Sequence, residues 1–184
     1  MRNVAGGFNL SPAEGNVLMS VRPFPAALIL AAAILSLSAC GGGNESSLTV
    51  YEDAPTLNPV DVGKSGNSPG DGYYFFANLR DQPGGSVTGH LYGMKTLVKP
   101  EDPSKPHTEQ RATMLFFVFD NSQDQIVVAG VPDYPPNAPE FGANQPVLRA
   151  VLGGTGKYNG AGGQLTSTRN SDGSYKQEFS LTKP

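Results

Sequence analysis

The chain has 184 residues, with 13 Lys and Arg against 16 Asp and Glu, for a formal net charge of −3. It lacks the basic excess of a nucleic-acid binder, and its 23 Gly and 16 Pro, both helix breakers, argue against a helical bundle. A single Cys excludes an intrachain disulfide, and with only two His the chain offers too few ligands for a metal site.

The first 39 residues read as an address rather than as structure. Arg22 supplies a positive start, and residues 26–37 are a run of Ala, Leu and Ile broken only by Ser36. The run falls short of the roughly 20 apolar residues that span a bilayer. It ends in Leu37-Ser38-Ala39-Cys40, which resembles a bacterial lipobox. That resemblance implies lipidation of Cys40 and a chain held at the cell envelope, outside the cytoplasm. An uncleaved membrane anchor is the alternative. Gly41 follows the Cys where a retained inner-membrane lipoprotein would carry Asp, so the outer membrane is the expected address. Residues 1–18 fit no part of a signal, and Met19 would start one of ordinary length. Residues 40–47 then read as the lipidated Cys and a flexible tether, and 48–184 as one folded domain.

Within that domain no window keeps a 3.6-residue apolar period. Short β-rich runs bounded by Gly, Pro, Asn or Asp predict strands over 48–53, 72–80, 87–98, 109–120, 125–131, 147–152, 162–168 and 175–182. Tight polar turns between most of them predict antiparallel neighbours. Two connections, 99–108 and 132–146, are long and Pro-rich. Residues 111–119 are apolar on both faces: Ala112, Met114, Phe116 and Val118 share one, Leu115, Phe117 and Phe119 the other. Both must therefore be covered. A closed barrel covers one with its lumen and leaves the other for a second subunit. A two-sheet sandwich with loops folded over the outside is the alternative.

Residues 150–165, Ala-Val-Leu-Gly-Gly-Thr-Gly-Lys-Tyr-Asn-Gly-Ala-Gly-Gly-Gln-Leu, resemble the Gly-Gly-Thr-Gly-Lys-Tyr signature of dirigent proteins and the matching segment of allene oxide cyclases. Gly70-Asp71 before an aromatic strand, Thr88-Gly89 with Gly93, and the hairpin through Val127-Val128-Ala129-Gly130 follow the same order. The resemblance spans nearly all of the folded domain. It implies an all-β fold, an eight-stranded antiparallel β-barrel of calycin-like form with an apolar lumen, assembled as a trimer or dimer. Gly153-Gly154-Thr155-Gly156-Lys157 is not a phosphate loop, because the spacing is wrong and no helix follows.

Glu52 falls where the cyclases carry a lumen carboxylate, and desolvation there would suit it to acid–base work. The Asn two residues beyond that carboxylate is Ala54 here. A second family Asn falls at Ala77 and the lumen Cys at Lys95. These departures weigh against allene oxide cyclase activity itself. His90 and Tyr92 share a strand face and form a second candidate polar spot. Tyr73, Phe75, Met114 and Phe116, or their neighbours one residue away, are the expected lumen lining. Asp71 reads as a turn former, while Arg80 and Arg149 read as part of a solvated barrel exterior, with pairing to Glu52 or a bound carboxylate as the alternative. The expected function is binding of a small hydrophobic molecule without a cofactor. A cofactor-free isomerase or cyclase, or a structural envelope protein, are the alternatives.

Overall fold

A computed structural model describes residues 45–182 apart from 102, 103 and 105. The signal region, the alternative start Met19, Cys40 and the Gly-rich run after it lie outside the described residues.

The strands are β1 (Glu45–Glu52), β2 (Thr56–Val60), β3 (Gly72–Arg80), β4 (Val87–Lys99), β5 (Glu109–Phe119), β6 (Gln125–Gly130), β7 (Asp133–Tyr134), β8 (Pro146–Thr155), β9 (Gly162–Arg169) and β10 (Tyr175–Thr182). All pairings are antiparallel, in the order β1-β10-β9-β8-β6-β5-β4-β3, and β1 returns to β3. This is a closed eight-stranded barrel and not a sandwich. β2 and β7 are short additions on β3 and β5. β1 starts three residues before the expected boundary: Glu45, Ser46 and Ser47 pair with Thr182, Leu181 and Ser180.

The closing seam is short, only Tyr51 opposite Arg80 and Glu52 opposite Leu79. Asp53 reinforces it from just beyond. Its N–H donates to the Asn78 carbonyl at 3.0 Å, and its carboxylate takes Arg80 Nε at 2.7 Å and Nη2 at 2.9 Å. Arg80 thereby holds the Asp53 carboxyl below its ordinary range. Beyond Pro55 the chain runs on along β3 as β2, whose Pro59 is tolerated because this strand has a partner on one side only.

Strict alternation sorts each strand into lumen and outside. On β5 the odd positions from Glu109 to Phe119 are buried and the even ones are not. The lumen has two unlike halves. One is packed with apolar side chains, including Leu79, Leu91, Phe117, Ile126, Leu165 and Phe179. Its floor is the single 3₁₀ turn after β8, Gly156–Tyr158, where Tyr158 stacks at a tilt on Phe119 at 5.2 Å. Gly156 is required there. Its φ is +58°, and a Cβ would meet an Asp124 carboxylate oxygen. The Gly-rich run is therefore a tight strand-to-turn passage. At the other end Gly93 leaves room for the Phe75 ring, which occupies the space a Cβ would need. That end is polar.

Candidate functional site

The polar end collects side chains from seven strands and one loop. β1 contributes Glu52, β4 Lys95, β5 Thr113, β8 Arg149, β9 Ser167, and β10 Tyr175 and Gln177. Each occupies a lumen position in the alternation of its strand, in phase with the apolar residues deeper down. β7 adds Tyr134, and the long loop before β8 adds Glu140 and Phe141. Together they enclose a hollow of about 30 Å³, room for two or three waters, each needing roughly 10–15 Å³ on this measure.

A hydrogen-bonded chain crosses this hollow. Arg149 Nη1 donates to Ser167 Oγ at 3.0 Å, Ser167 Oγ donates to Gln177 Oε1 at 2.6 Å, and Gln177 Nε2 donates to Glu52 Oε2 at 2.5 Å. Arg149 Nη2 also donates to the Tyr134 hydroxyl at 3.4 Å. Glu52 is 3% exposed. Burial pushes its carboxyl from 4.5 up to about 8, and Glu140 adds to the rise. The Gln177 hydrogen bond and the charges of Arg149 and Lys95 oppose it without cancelling it. Glu52 is therefore mostly protonated at neutral pH, a buried acid with a proton to give.

A second group fixes the cap. Glu140 reaches in from the loop and accepts Lys95 Nζ at 2.8 Å and the Tyr175 hydroxyl, with Arg169 Nε at 3.5 Å. Lys95 is almost fully buried and lies 5.0 Å from the Phe75 ring and 5.4 Å from that of Tyr73. Phe141 sits edge-on between Tyr134 at 5.9 Å and Tyr175 at 5.4 Å. Burial, then the Glu140 charge, raises the Tyr175 phenol well above its usual range, so it serves as a neutral donor. At the rim beside Tyr73, Arg111 gives Nε and Nη2 to Glu109, which also accepts Asn67 Nδ2 and the Asn137 N–H.

Of the expected site residues, Glu52 points into the lumen, and Tyr73 and Phe75 lie half-buried on the inner face of β3. Met114 and Phe116 do not line the lumen. The register of β5 turns them outward, and Leu115 and Phe117 take the inner places. His90 and Tyr92 form no lumen spot either. They stand on the outer face of β4, Tyr92 at 49% exposure, while Leu91 and Gly93 face in. Arg80 belongs to the seam with Asp53. Asp71 is a turn former whose carboxylate accepts the N–H groups of Val62 and Ser68, both at 2.7 Å. The lumen is not simply apolar as expected: Lys95, Arg149, Ser167 and Gln177 are buried polar residues in it.

No model of a known protein family matches the chain, and no curated protein matches it. Solved structures do. The shared feature is the small antiparallel β-barrel. A pyocyanin demethylase aligns at TM-score 0.56 and 23% identity, covering 74% of this chain and all of that one. A nonspecific heme-binding cyclase that catalyses [4 + 2] cycloaddition in neoabyssomicin biosynthesis aligns at 0.58 and 15%, over 78% of this chain and 66% of its own. The Diels–Alderase AbmU of Streptomyces koyangensis aligns at 0.56 and 15%, over 79% and 72%. At these identities the likeness is one of architecture.

Proposed function

We propose that the barrel is a cofactor-free acid–base site for a small organic molecule, of the isomerase or cyclase kind, with Glu52 as the proton donor. The carrying observation is a lumen carboxyl that burial keeps protonated, hydrogen-bonded by Gln177 and flanked by two buried cations, Arg149 and Lys95. Arg149 or Lys95 would hold the oxygen that gains charge as the proton moves. The solved neighbours support a small-molecule role, since by name one demethylates pyocyanin and two catalyse cyclisations. The likeness to allene oxide cyclases and dirigent proteins rests on the Gly-Gly-Thr-Gly-Lys-Tyr stretch and the barrel it shapes. A second reading, binding without conversion, is favoured by the small hollow: a guest of any size must displace the Glu140–Phe141 cap.

Native mass spectrometry of the full chain extracted in mild detergent separates the readings. Under the acid–base reading a co-purifying molecule is converted by the wild type, and Glu52→Gln slows conversion by about 10²–10⁴-fold, the usual worth of a general acid. Conversion by Glu52→Gln at the wild-type rate removes Glu52 from the chemistry. A retained but unconverted molecule supports the binding reading, and no retained molecule supports a structural role.

The outer face of β3 to β5 carries Tyr74 and Phe76, Tyr92 and Met94, and Met114 and Phe116 in register. An open apolar groove of about 480 Å³ beside Met94, Met114 and Val131 continues it. Such a patch suits assembly into a trimer or dimer. Cys40, in its lipobox-like context, would tether the barrel to the cell envelope, the outer membrane by the Gly41 argument. Metabolic labelling with a palmitate analogue should mark the wild type and leave Cys40→Ser unmarked. Equal labelling of both removes the anchor.

A further inference from the structure

Arg149 is a buried cation among neutral partners. It is 6% exposed, its Nη groups donate to the Ser167 and Tyr134 hydroxyls, and its guanidinium lies 5.6 Å from the Phe141 ring. Its Nε has no acceptor. Among the described residues no carboxylate forms an ion pair with it, whereas Lys95 and Arg111 hold Glu140 and Glu109. A buried charge lacking its counter-ion is costly, and such groups are ordinarily paired. The nearby Glu52 does not supply the charge at neutral pH, because it is mostly protonated.

We propose that the mouth of the lumen binds a small aromatic monoanion, its carboxylate or phenolate oxygen paired with the Arg149 guanidinium and its ring held among Phe75, Tyr134 and Tyr175. The proposal rests on the reading of the lumen as a small-molecule site and names the ligand class for it. The missing acceptor at Nε and the missing counter-ion both call for an anion rather than a neutral polar group. The surrounding rings call for an aromatic body, which gains from edge and face contacts with them. The hollow of about 30 Å³ takes the charged group alone. The ring takes the place of Phe141, which the loop carries in from outside the barrel wall.

The groups that face Glu52 are Gln177 and Tyr175 from β10, Arg149 from β8, Lys95 from β4, and Glu140 from the loop. Once Glu52 ionises, it becomes the internal counter-ion of Arg149 and competes with the ligand. Anion affinity should therefore fall above pH 8.

Calorimetric titration of the full chain in detergent tests this with benzoate, acetate and the neutral isostere benzamide. At pH 6.5 benzoate should bind at least about tenfold more tightly than benzamide or acetate. Benzoate binding should weaken by about tenfold between pH 7 and pH 9.5, and Glu52→Gln should remove that pH dependence while keeping the site. Arg149→Met should lose at least about tenfold in benzoate affinity without lowering the melting temperature, because it removes an unpaired buried charge. Benzamide binding as well as benzoate, or benzoate failing to bind wild type at about 10 mM, overturns the proposal with no variant needed. So does full benzoate affinity in Arg149→Met. If benzoate binds as stated yet Glu52→Gln still converts the co-purifying molecule, the anion site stands and the acid–base reading falls. If conversion depends on Glu52 but charge is not discriminated, the anion site alone falls.

Discussion

The wild-type barrel should lose stability as pH rises from about 5 to about 8, and Glu52→Gln should lose far less. The folded-state carboxyl, raised to about 8, keeps its proton across a range in which the unfolded chain, at 4.5, has released it. Folding therefore takes up a proton in that window. The contribution is fully present below 4.5 and disappears as pH climbs through the folded value. At about 1.4 kcal/mol per unit, the gap sets a ceiling of about 5 kcal/mol, and water entry on ionisation will lower it. Urea unfolding of both chains at pH 5 and pH 8.5 reads the difference directly. Groups with depressed values, such as Asp53 and Asp124, act in the opposite sense and in acid. Their stability is lost as pH falls, so they do not obscure this window. Parallel pH profiles for the two chains would mean that Glu52 is solvated in the folded protein.

Phe117→Ala should cost about 3–5 kcal/mol, the range for emptying an aromatic site in a packed core. Phe117 is fully buried in the lumen and meets Phe179 edge-on at 4.9 Å, so its loss leaves a void walled on every side. Its neighbour Phe116 is the control. It lies on the outer face opposite Tyr92 and Val127, where truncation opens no internal cavity. Phe116→Ala should cost about 1 kcal/mol or less in the isolated barrel, and, under the proposed assembly through the apolar outer face, should also weaken association. Unfolding at low protein concentration measures the first effect, and sedimentation measures the second. A Phe116→Ala cost equal to that of Phe117→Ala would invert the assignment of faces on β5.

That assignment is where sequence reasoning ran out. Strand positions were legible because Gly, Pro, Asn and Asp cluster at the turns while β-branched and aromatic residues fill the runs. All eight barrel strands fall where the pattern puts them. The phase of β5 was not legible from residues 112–119, because both faces there are apolar and alternation carries no sign. The decisive signal stood just upstream. Glu109 and Arg111 are in phase with Leu115 and Phe117, and a buried ion pair at the strand start marks the inward face. Lys95 gives the same mark on β4, in phase with Leu91 and Leu97. Charged residues in a lumen phase run against the habit of placing charge outside, which is why Arg149 reads as an exterior residue, while Lys95 reaches a lumen position in the sequence only through the cyclase likeness. Glu140 had no local signature. Its role comes from a loop that folds back across the mouth to Lys95, 45 residues away in the chain. The short strands β2 and β7 escaped as well, since Pro59 and the Pro-rich run around Tyr134 read as loop.

The state of one carboxyl underlies the acid–base reading, the pH profile of stability and the pH profile of anion binding. Carbon-detected NMR of the Glu52 side chain, assigned by comparison with Glu52→Gln, follows it directly. A carboxyl resonance that titrates near pH 8 is the expected result. A midpoint between pH 4 and 5 would contradict the account, because the group would then already be ionised at neutral pH, with no proton to donate and a negative charge to offer Arg149.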